Sequence, residues 1–262
     1  MEKHILTVDV EDNFTYEELV NKEDWEKYES QVVENILKIL HLLKEYKTKA
    51  TFFVVGYVIK RHPEIIEYII KDKHEVSSHS YWHKPLTTFS WEEIEKDIIN
   101  SKDIIFSIAG KAPLGYRAMG YSIPEDYQKF YRILKENGFL YDSSRKFSKE
   151  NSLNTVCYKR NLYNIFPSFL RVAGKKLIFS GGTYFRLLPL RIIVKGFQLY
   201  SKNNQPVMLY VHPWEFNKDQ PKRKVPFKQR LLQSPMTFTT EQKLKYLLKK
   251  YKFVSIKEYL GI

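Results

Sequence analysis

Strand-like and helix-like patterns alternate along most of this chain, and that alternation admits few folds. His4 to Asp9, with Ile5, Leu6 and Val8, reads as a first strand. Gln31 to Tyr46 then places Val33, Ile36, Leu37, Leu40 and Leu43 on one helical face. Ala50 to Val55 is a second apolar, β-branched run, ended by Gly56. Pro63 opens a helix carrying Ile65, Ile66, Ile69 and Ile70, and Glu75 to Ser78 is a third, short strand. Ser90 with Glu93 makes a capping box ahead of Ile94, Ile98 and Ile105. The rhythm continues with Pro113 to Arg117, a helix near Pro124 to Asn137, and strands at Phe139 to Asp142 and Val207 to Val211. Leu244, Leu247, Leu248 and Tyr251 stripe a helix near the C-terminus. Repeated strand–helix units imply a parallel sheet with helices outside it, because crossovers are right-handed. Closed or nearly closed, such a sheet is a (β/α) barrel. A chain of 262 residues can bury one large core, so a single domain over residues 1–262 is expected. Residues 143–175 and 213–239 are weakly periodic and read as long covering or binding loops.

Asp9, His79, Arg117, Asp142 and His212 each fall at or just after the end of a strand-like run. In α/β barrels that end of the sheet gathers the loops of an active site. His79 and His83 stand four residues apart; on a turn entering a helix they would share a face. The acidic cluster Asp9-Val10-Glu11-Asp12 closes the first strand. Two imidazoles and a carboxylate commonly hold a divalent metal that keeps one position open for water. Taken singly, each residue also has a plain structural reading: a satisfied core histidine, a solvated strand end, a surface ion pair.

Lys and Arg outnumber Asp and Glu by 43 to 30, a net charge of +13. Such a balance suits anionic neighbours or a merely solvated basic surface. The basic residues spread along helices and loops instead of lining one face, so specific nucleic-acid binding is not expected; peripheral contact with anionic membrane is. Cys157, the only cysteine, excludes an internal disulfide and reads as a packed thiol. The opening residues lack the apolar core of a signal peptide, and no apolar run is long enough to span a bilayer. A soluble cytoplasmic protein, peripheral at most to the inner face of the membrane, is expected.

Several motifs, in order along nearly the whole chain, resemble those of the NodB-type polysaccharide deacetylases of carbohydrate esterase family four. They are Thr7-Val8-Asp9-Val10-Glu11-Asp12, His79-Ser80-Tyr81-Trp82-His83, Gly115-Tyr116-Arg117-Ala118-Met119 and Leu209-Tyr210-Val211-His212-Pro213-Trp214-Glu215. Tyr141-Asp142-Ser143-Ser144, Gly181-Gly182-Thr183-Tyr184-Phe185-Arg186 and the His-Pro-Trp-Glu tetrad are similar to a subgroup tied to exopolysaccharide loci. The resemblance implies a distorted (β/α) barrel of about seven parallel strands. It also implies hydrolysis of the acetamide of an N-acetylated glycan or lipid-linked sugar. Asp9 would then be the general base, His212 the general acid and Arg117 the partner that orients Asp9, with Asp142 grouped among the catalytic residues. His79, His83 and one carboxylate would hold one divalent metal, zinc foremost, with cobalt, nickel or iron as other candidates.

The first motif departs from the family's two adjacent aspartates followed by glycine. The third ligand is therefore Glu11, favoured by strand alternation, or Asp12, favoured by its shorter side chain; the balance leans slightly to Asp12. Trp82, Gly120, Tyr121, Tyr184 and Trp214 are the expected substrate contacts. The alternative from another functional class is a catalytically silent glycan-binding protein of the same fold.

Overall fold

The computed structural model describes residues 2–12, 14, 22–147, 153–217 and 237–262. Its sheet is built from β1 (Lys3–Val10), β2 (Thr51–Val54), β3 (Glu75–Ser78), β4 (Gly115–Tyr116), β5 (Tyr141–Asp142), β6 (Val156–Lys159), β7 (Leu162–Ile165), β10 (Met208–Val211) and β11 (Lys252–Val254). These nine strands pair in the order β10-β1-β2-β3-β4-β5-β7-β6, with β11 beside the start of β1. Every pairing is parallel except that of β6 with β7. The result is a curled, mostly parallel half-barrel, the fold that the strand–helix alternation and the resemblance imply. β8 (Phe169–Val172) and β9 (Lys175–Ile178) form a separate hairpin.

Hydrogen bonds bridge the remaining gap between the edge strands β6 and β10. Thr155 Oγ1 donates to the Pro206 carbonyl at 2.6 Å, Ser168 Oγ accepts from the Met208 N–H at 3.0 Å, and the Tyr210 N–H reaches the Ser180 carbonyl at 2.9 Å.

Strand alternation sorts the chain into two faces. Ile5, Phe53, Tyr141, Ile165, Met208 and Ile256 pack together inside the curl. Leu6, Val8, Val10, Phe52, Val54, Leu209 and Val211 face outward onto helices α1 (Val32–Glu45), α3 (Glu64–Lys71), α7 (Leu190–Lys202) and α8 (Thr237–Lys250). Tyr116 and Phe139 pack outward against α4 (Trp91–Ala109) and α5 (Tyr127–Glu136). A side chain on Gly115 would collide with the Tyr141 ring, which fills the interior at that level. The Tyr141 hydroxyl donates to Glu75 at 2.9 Å and lies 2.6 Å from Ser77 Oγ. No described helix is long and apolar enough to cross a membrane.

Residues 143–175 are not the long loop expected. They contain the β6–β7 hairpin, β8 and the start of β9. Arg160 and Asn161 (φ 57° and 59°) turn the first hairpin, Ala173 and Gly174 (φ 47° and 77°) the second. Positive φ at both central residues is the mark of the type I′ turn, which matches the twist of paired strands. The strands are short and partly exposed, so no sustained alternation marks them. Of the second stretch, Pro213–Phe216 form a 3-10 turn, and 218–236 lie outside the described residues.

Two buried histidines act as neutral acceptors in this scaffold. His4 Nδ1 accepts the Val207 N–H at 3.1 Å, within the rings of Phe197, Tyr251 and Phe253. His74 Nδ1 accepts the Ala50 N–H at 3.2 Å. Burial pushes both pKa values down to about 4. A pKa depressed below the unfolded value of about 6.5 gives stability that is full above 6.5 and is lost as pH falls towards 4. The thermal midpoint should therefore begin to fall below pH 6.5, before exposed carboxylates titrate. Thermal melts at half-unit pH steps should show the double variant His4→Gln/His74→Gln with a shallower decline between pH 6.5 and 5 than the natural chain.

Candidate active site

The inward face of β1 continues as Ile5, Thr7 and Asp9, and Glu11 keeps the same parity beyond the strand. Arg117, just past β4, reaches across the barrel mouth. Its Nη1 donates to Asp9 Oδ1 at 2.5 Å and to Thr7 Oγ1 at 2.9 Å. Nε and Nη2 donate to Ser143 Oγ at 3.3 and 2.9 Å, and that hydroxyl donates to the Ile165 carbonyl at 3.1 Å. The guanidinium lies 4.0 Å from the centre of the Phe53 ring. With 1% of Arg117 exposed, Asp9 is the charge that offsets it.

The two histidines do not sit on a helix. His79 follows β3, and a tight turn with left-handed Ser80 (φ 67°) and His83 (φ 49°) folds the second ring back towards the first. Asp97 of α4 pins that turn, accepting the Ser80 hydroxyl at 2.6 Å and the N–H groups of Tyr81 and Trp82 at 3.0 Å each. Sequence reasoning missed Asp97. The available signal was a carboxylate beside Ile94, Ile98 and Ser101 on the buried stripe of its helix.

His79 Nδ1 lies 2.7 Å from the Arg117 carbonyl, which can only accept, so the proton sits on Nδ1 and Nε2 presents its lone pair to the cleft. His83 Nε2 is 2.5 Å from Glu11 Oε2. One donor atom each from Glu11, His79 and His83 lies within 4.8 Å of the others, and all three residues are buried. Burial pushes His79 down to about 4, so the ring is neutral. Burial pushes Glu11 up, but His83, His212 and His79 together outweigh it and hold the carboxyl at about 2. Neutral imidazole and an ionised carboxylate are the forms that bind a cation. Glu11 Oε1 also accepts the Trp214 indole N–H at 2.9 Å.

Asp12, the ligand favoured from sequence, points away. It accepts from Ser30 Oγ at 2.7 Å and from the Gln31 N–H at 3.3 Å, at the entry to α1. The alternation of β1 runs on far enough to turn Glu11 inward and Asp12 outward.

His212 ends β10 on the inward face. Its Nε2 lies 3.9 Å from both Asp9 Oδ2 and Glu11 Oε1, and its Nδ1 lies 3.2 Å from Glu215 Oε1. Burial lowers its pKa, but Glu215, Glu11 and Asp9 outweigh burial and raise it to about 9. The ring stacks on Trp214 at 5.2 Å and 17°. Asp142 is not brought to this mouth. Tyr141 and Ser143 take the inward positions of that segment, so Asp142 turns outward, where it accepts the Ser144 N–H at 3.1 Å. Trp82 also misses the cleft and packs on Tyr57 and Trp25. Gly120, Tyr121, Tyr184 and Trp214 do line it, around a volume of about 470 Å³.

A cation donor set, a buried carboxylate and a protonated imidazole thus converge on one cleft. That arrangement suits metal-assisted hydrolysis of an acyl bond.

Residues 25–139 match the sequence model of the polysaccharide deacetylase family, and residues 143–261 match a domain family of unknown function. A peptidoglycan-N-acetylglucosamine deacetylase of Bacillus cereus is 30% identical over 121 residues, 46% of this chain and 48% of that protein. A peptidoglycan-N-acetylmuramic acid deacetylase of Bacillus subtilis is 42% identical over 76 residues, 29% of this chain and 16% of that protein. These matches thus span about half or less of the curated relatives' own length. Among solved structures, a Mycobacterium smegmatis protein assigned to the polysaccharide deacetylases superposes with a TM-score of 0.64 at 18% identity, covering 99% of this chain and 90% of that one. An allantoinase superposes with a TM-score of 0.61 at 15% identity, over 95% and 85% of the two chains, so the fold alone does not fix the reaction. The family match contains His79, His83 and Arg117 in the same order as the motifs, so residues 25–139 of this chain are similar to the polysaccharide deacetylase family.

Proposed function

We propose that this protein is a metal-dependent hydrolase that removes the acetyl group from an N-acetylated sugar. The observation that carries this reading is the placement of Asp9 and His212 beside the Glu11, His79 and His83 donor set. A divalent cation held by those three residues would polarise the acetyl carbonyl and lower the pKa of a water from about 15.7 towards 7. Asp9 takes a proton from the attacking water, and Arg117 holds that carboxylate aimed into the cleft. The water oxygen bonds to the acetyl carbon. As the C–N bond breaks, its electron pair goes to nitrogen, and His212 supplies the proton with which the amine leaves. Acetate and a free amino sugar result.

Asp9 and Glu11 come from β1, His79, His83 and Arg117 from the segment matching the deacetylase family, and His212 from the segment matching the second family. The whole of 1–262 is therefore proposed to act as one domain. The named relatives act on peptidoglycan, which supports an N-acetylated glycan as the substrate class. The Tyr-Asp-Ser-Ser and His-Pro-Trp-Glu motifs favour an exopolysaccharide setting, with a lipid-linked precursor processed at the inner face of the membrane. The net charge of +13 would assist peripheral contact with anionic lipid there. Zinc is the proposed ion. One fold neighbour, from Bacillus anthracis, is described as a family-four pseudoenzyme, so turnover itself is the first thing to measure.

Metal-loaded protein should release acetate from N-acetylglucosamine oligosaccharides, lose that activity to a chelator and regain it with a divalent cation. Asp9→Asn should lower kcat by about 10²–10⁴-fold while metal content, read by elemental analysis, stays unchanged. His79→Ala should lose the metal itself. Absence of acetate release from fully loaded protein would overturn the reading in favour of the silent glycan binder.

Asp142→Asn makes a useful contrast, because burial pushes the Asp142 carboxyl up to about 7. A raised carboxyl pKa means that the folded state binds the extra proton, and its contribution to stability is lost as pH rises through 7. Asp142→Asn should keep deacetylase activity within a few-fold and melt higher than the natural chain at pH 8.5; a loss of kcat as large as that of Asp9→Asn would return Asp142 to the catalytic set.

A further inference from the structure

We propose that Glu215, anchored by Arg186, is the positioning residue for His212, fixing the imidazole so that Nε2 is the nitrogen that delivers the proton. This rests on the reading of His212 as the general acid. Glu215 is wholly buried, and both of its oxygens serve His212. Oε1 lies 3.2 Å from Nδ1, and Oε2 accepts the His212 backbone N–H at 3.3 Å. The 3-10 turn Pro213–Phe216 makes this possible, since its Glu215 N–H bonds the His212 carbonyl at 3.1 Å and folds residue 215 back over residue 212.

A buried carboxylate is costly without a charge partner. Here the Arg186 guanidinium, itself 1% exposed, donates to Oε1 of Glu215. Arg186 belongs to α6 (Gly182–Leu187), and its carbonyl is gripped by Lys243 Nζ at 2.5 Å and Thr239 Oγ1 at 3.1 Å. The guanidinium also lies 4.8 Å from the Trp214 ring centre, and Trp214 stacks on His212. The imidazole therefore has a buried carboxylate at ion-pair distance from Nδ1, 3.2 Å away and outside hydrogen-bond geometry, and indole on one face. Such a buried ion pair adds little net stability over a hydrophobic pair of the same volume. Its position against the His212 imidazole, whose Nε2 lies 3.9 Å from both Asp9 and Glu11, gives it a catalytic purpose. In the step itself the amine nitrogen takes the Nε2 proton as the C–N bond breaks, and the Nδ1 proton stays on the ring facing Glu215, so the ring ends neutral in a single tautomer.

The test compares two leaving groups. An amide needs the acid, because its amine must leave protonated; 4-nitrophenyl acetate does not, because nitrophenolate leaves as the anion. With metal-loaded protein, Glu215→Gln should lower kcat on N-acetylglucosamine oligosaccharides about 100-fold, leave KM within threefold, and leave ester hydrolysis within threefold. Glu215→Asp, which withdraws the carboxylate by one methylene, should lower the amide-to-ester ratio at least tenfold and serves where the Gln variant does not fold. Equal loss on amide and ester would show a merely structural role and overturn the proposal, as would an unchanged ratio in Glu215→Asp. Failure of the natural chain to release acetate from the amide at all would instead overturn the deacetylase reading.

Discussion

A guanidinium buried in the mouth of the barrel sets the terms for everything around it. Arg117 has 1% of its surface exposed, and taking such a charge out of water is costly unless every donor finds a partner. Thr7, Asp9 and Ser143 supply those partners from β1 and from the segment after β5, strands that are not neighbours in the sheet. The same residue's backbone carbonyl fixes the His79 ring. One side chain therefore ties the carboxylate, the first imidazole and the curl of the sheet into a single arrangement. Loss of Arg117 would take from buried Asp9 its nearest charge partner, a change worth about 3–5 kcal/mol by the usual scale of broken buried pairs.

The second constraint is the two-residue period of the strands. Ile5, Thr7, Asp9 and Glu11 face inward, as do Met208, Tyr210 and His212. The lower positions are apolar and close the barrel floor, while the upper ones are polar and meet at the mouth. The order of apolar then polar residues along each inward face thus makes both a core and a cleft from one pattern. Where parity is wrong, chemistry is lost: Asp12 caps the approach to α1, and Asp142 braces the turn that carries Ser143 and Ser144. Ser144 Oγ in turn accepts the Ala118 N–H at 2.8 Å, so Asp142 supports the Arg117 loop from behind without touching the cleft.

Much of the fold was legible because long apolar stripes and strong strand runs announce themselves. The capping box at Ser90 and Glu93 forms as its spacing indicates. The hairpins within 143–175 were not legible. Their strands are four residues each, and Arg-Asn and Ala-Gly are weaker turn signals than Asn-Gly or Asp-Gly. In the site, the residues at strand ends were visible as a set, whereas the supporting groups were not. Asp97, Ser143, Glu215 and Arg186 act by filling one direction around another side chain, and direction is not written in spacing.

From the sequence alone came the strand–helix alternation, the inward placement of Asp9 and the pairing of His79 with His83, since periodicity and local spacing are properties of neighbouring residues. Only the tertiary structure decided between Glu11 and Asp12, moved Asp142 and Trp82 out of the cleft, and set Glu215 against His212. Those outcomes depend on how far a strand's alternation runs past its last hydrogen bond and on which way a tight turn aims its side chains. Such angles are fixed by contacts between elements, Ser30 for Asp12, Tyr57 and Trp25 for Trp82, Arg186 for Glu215 and Trp214 for Glu11.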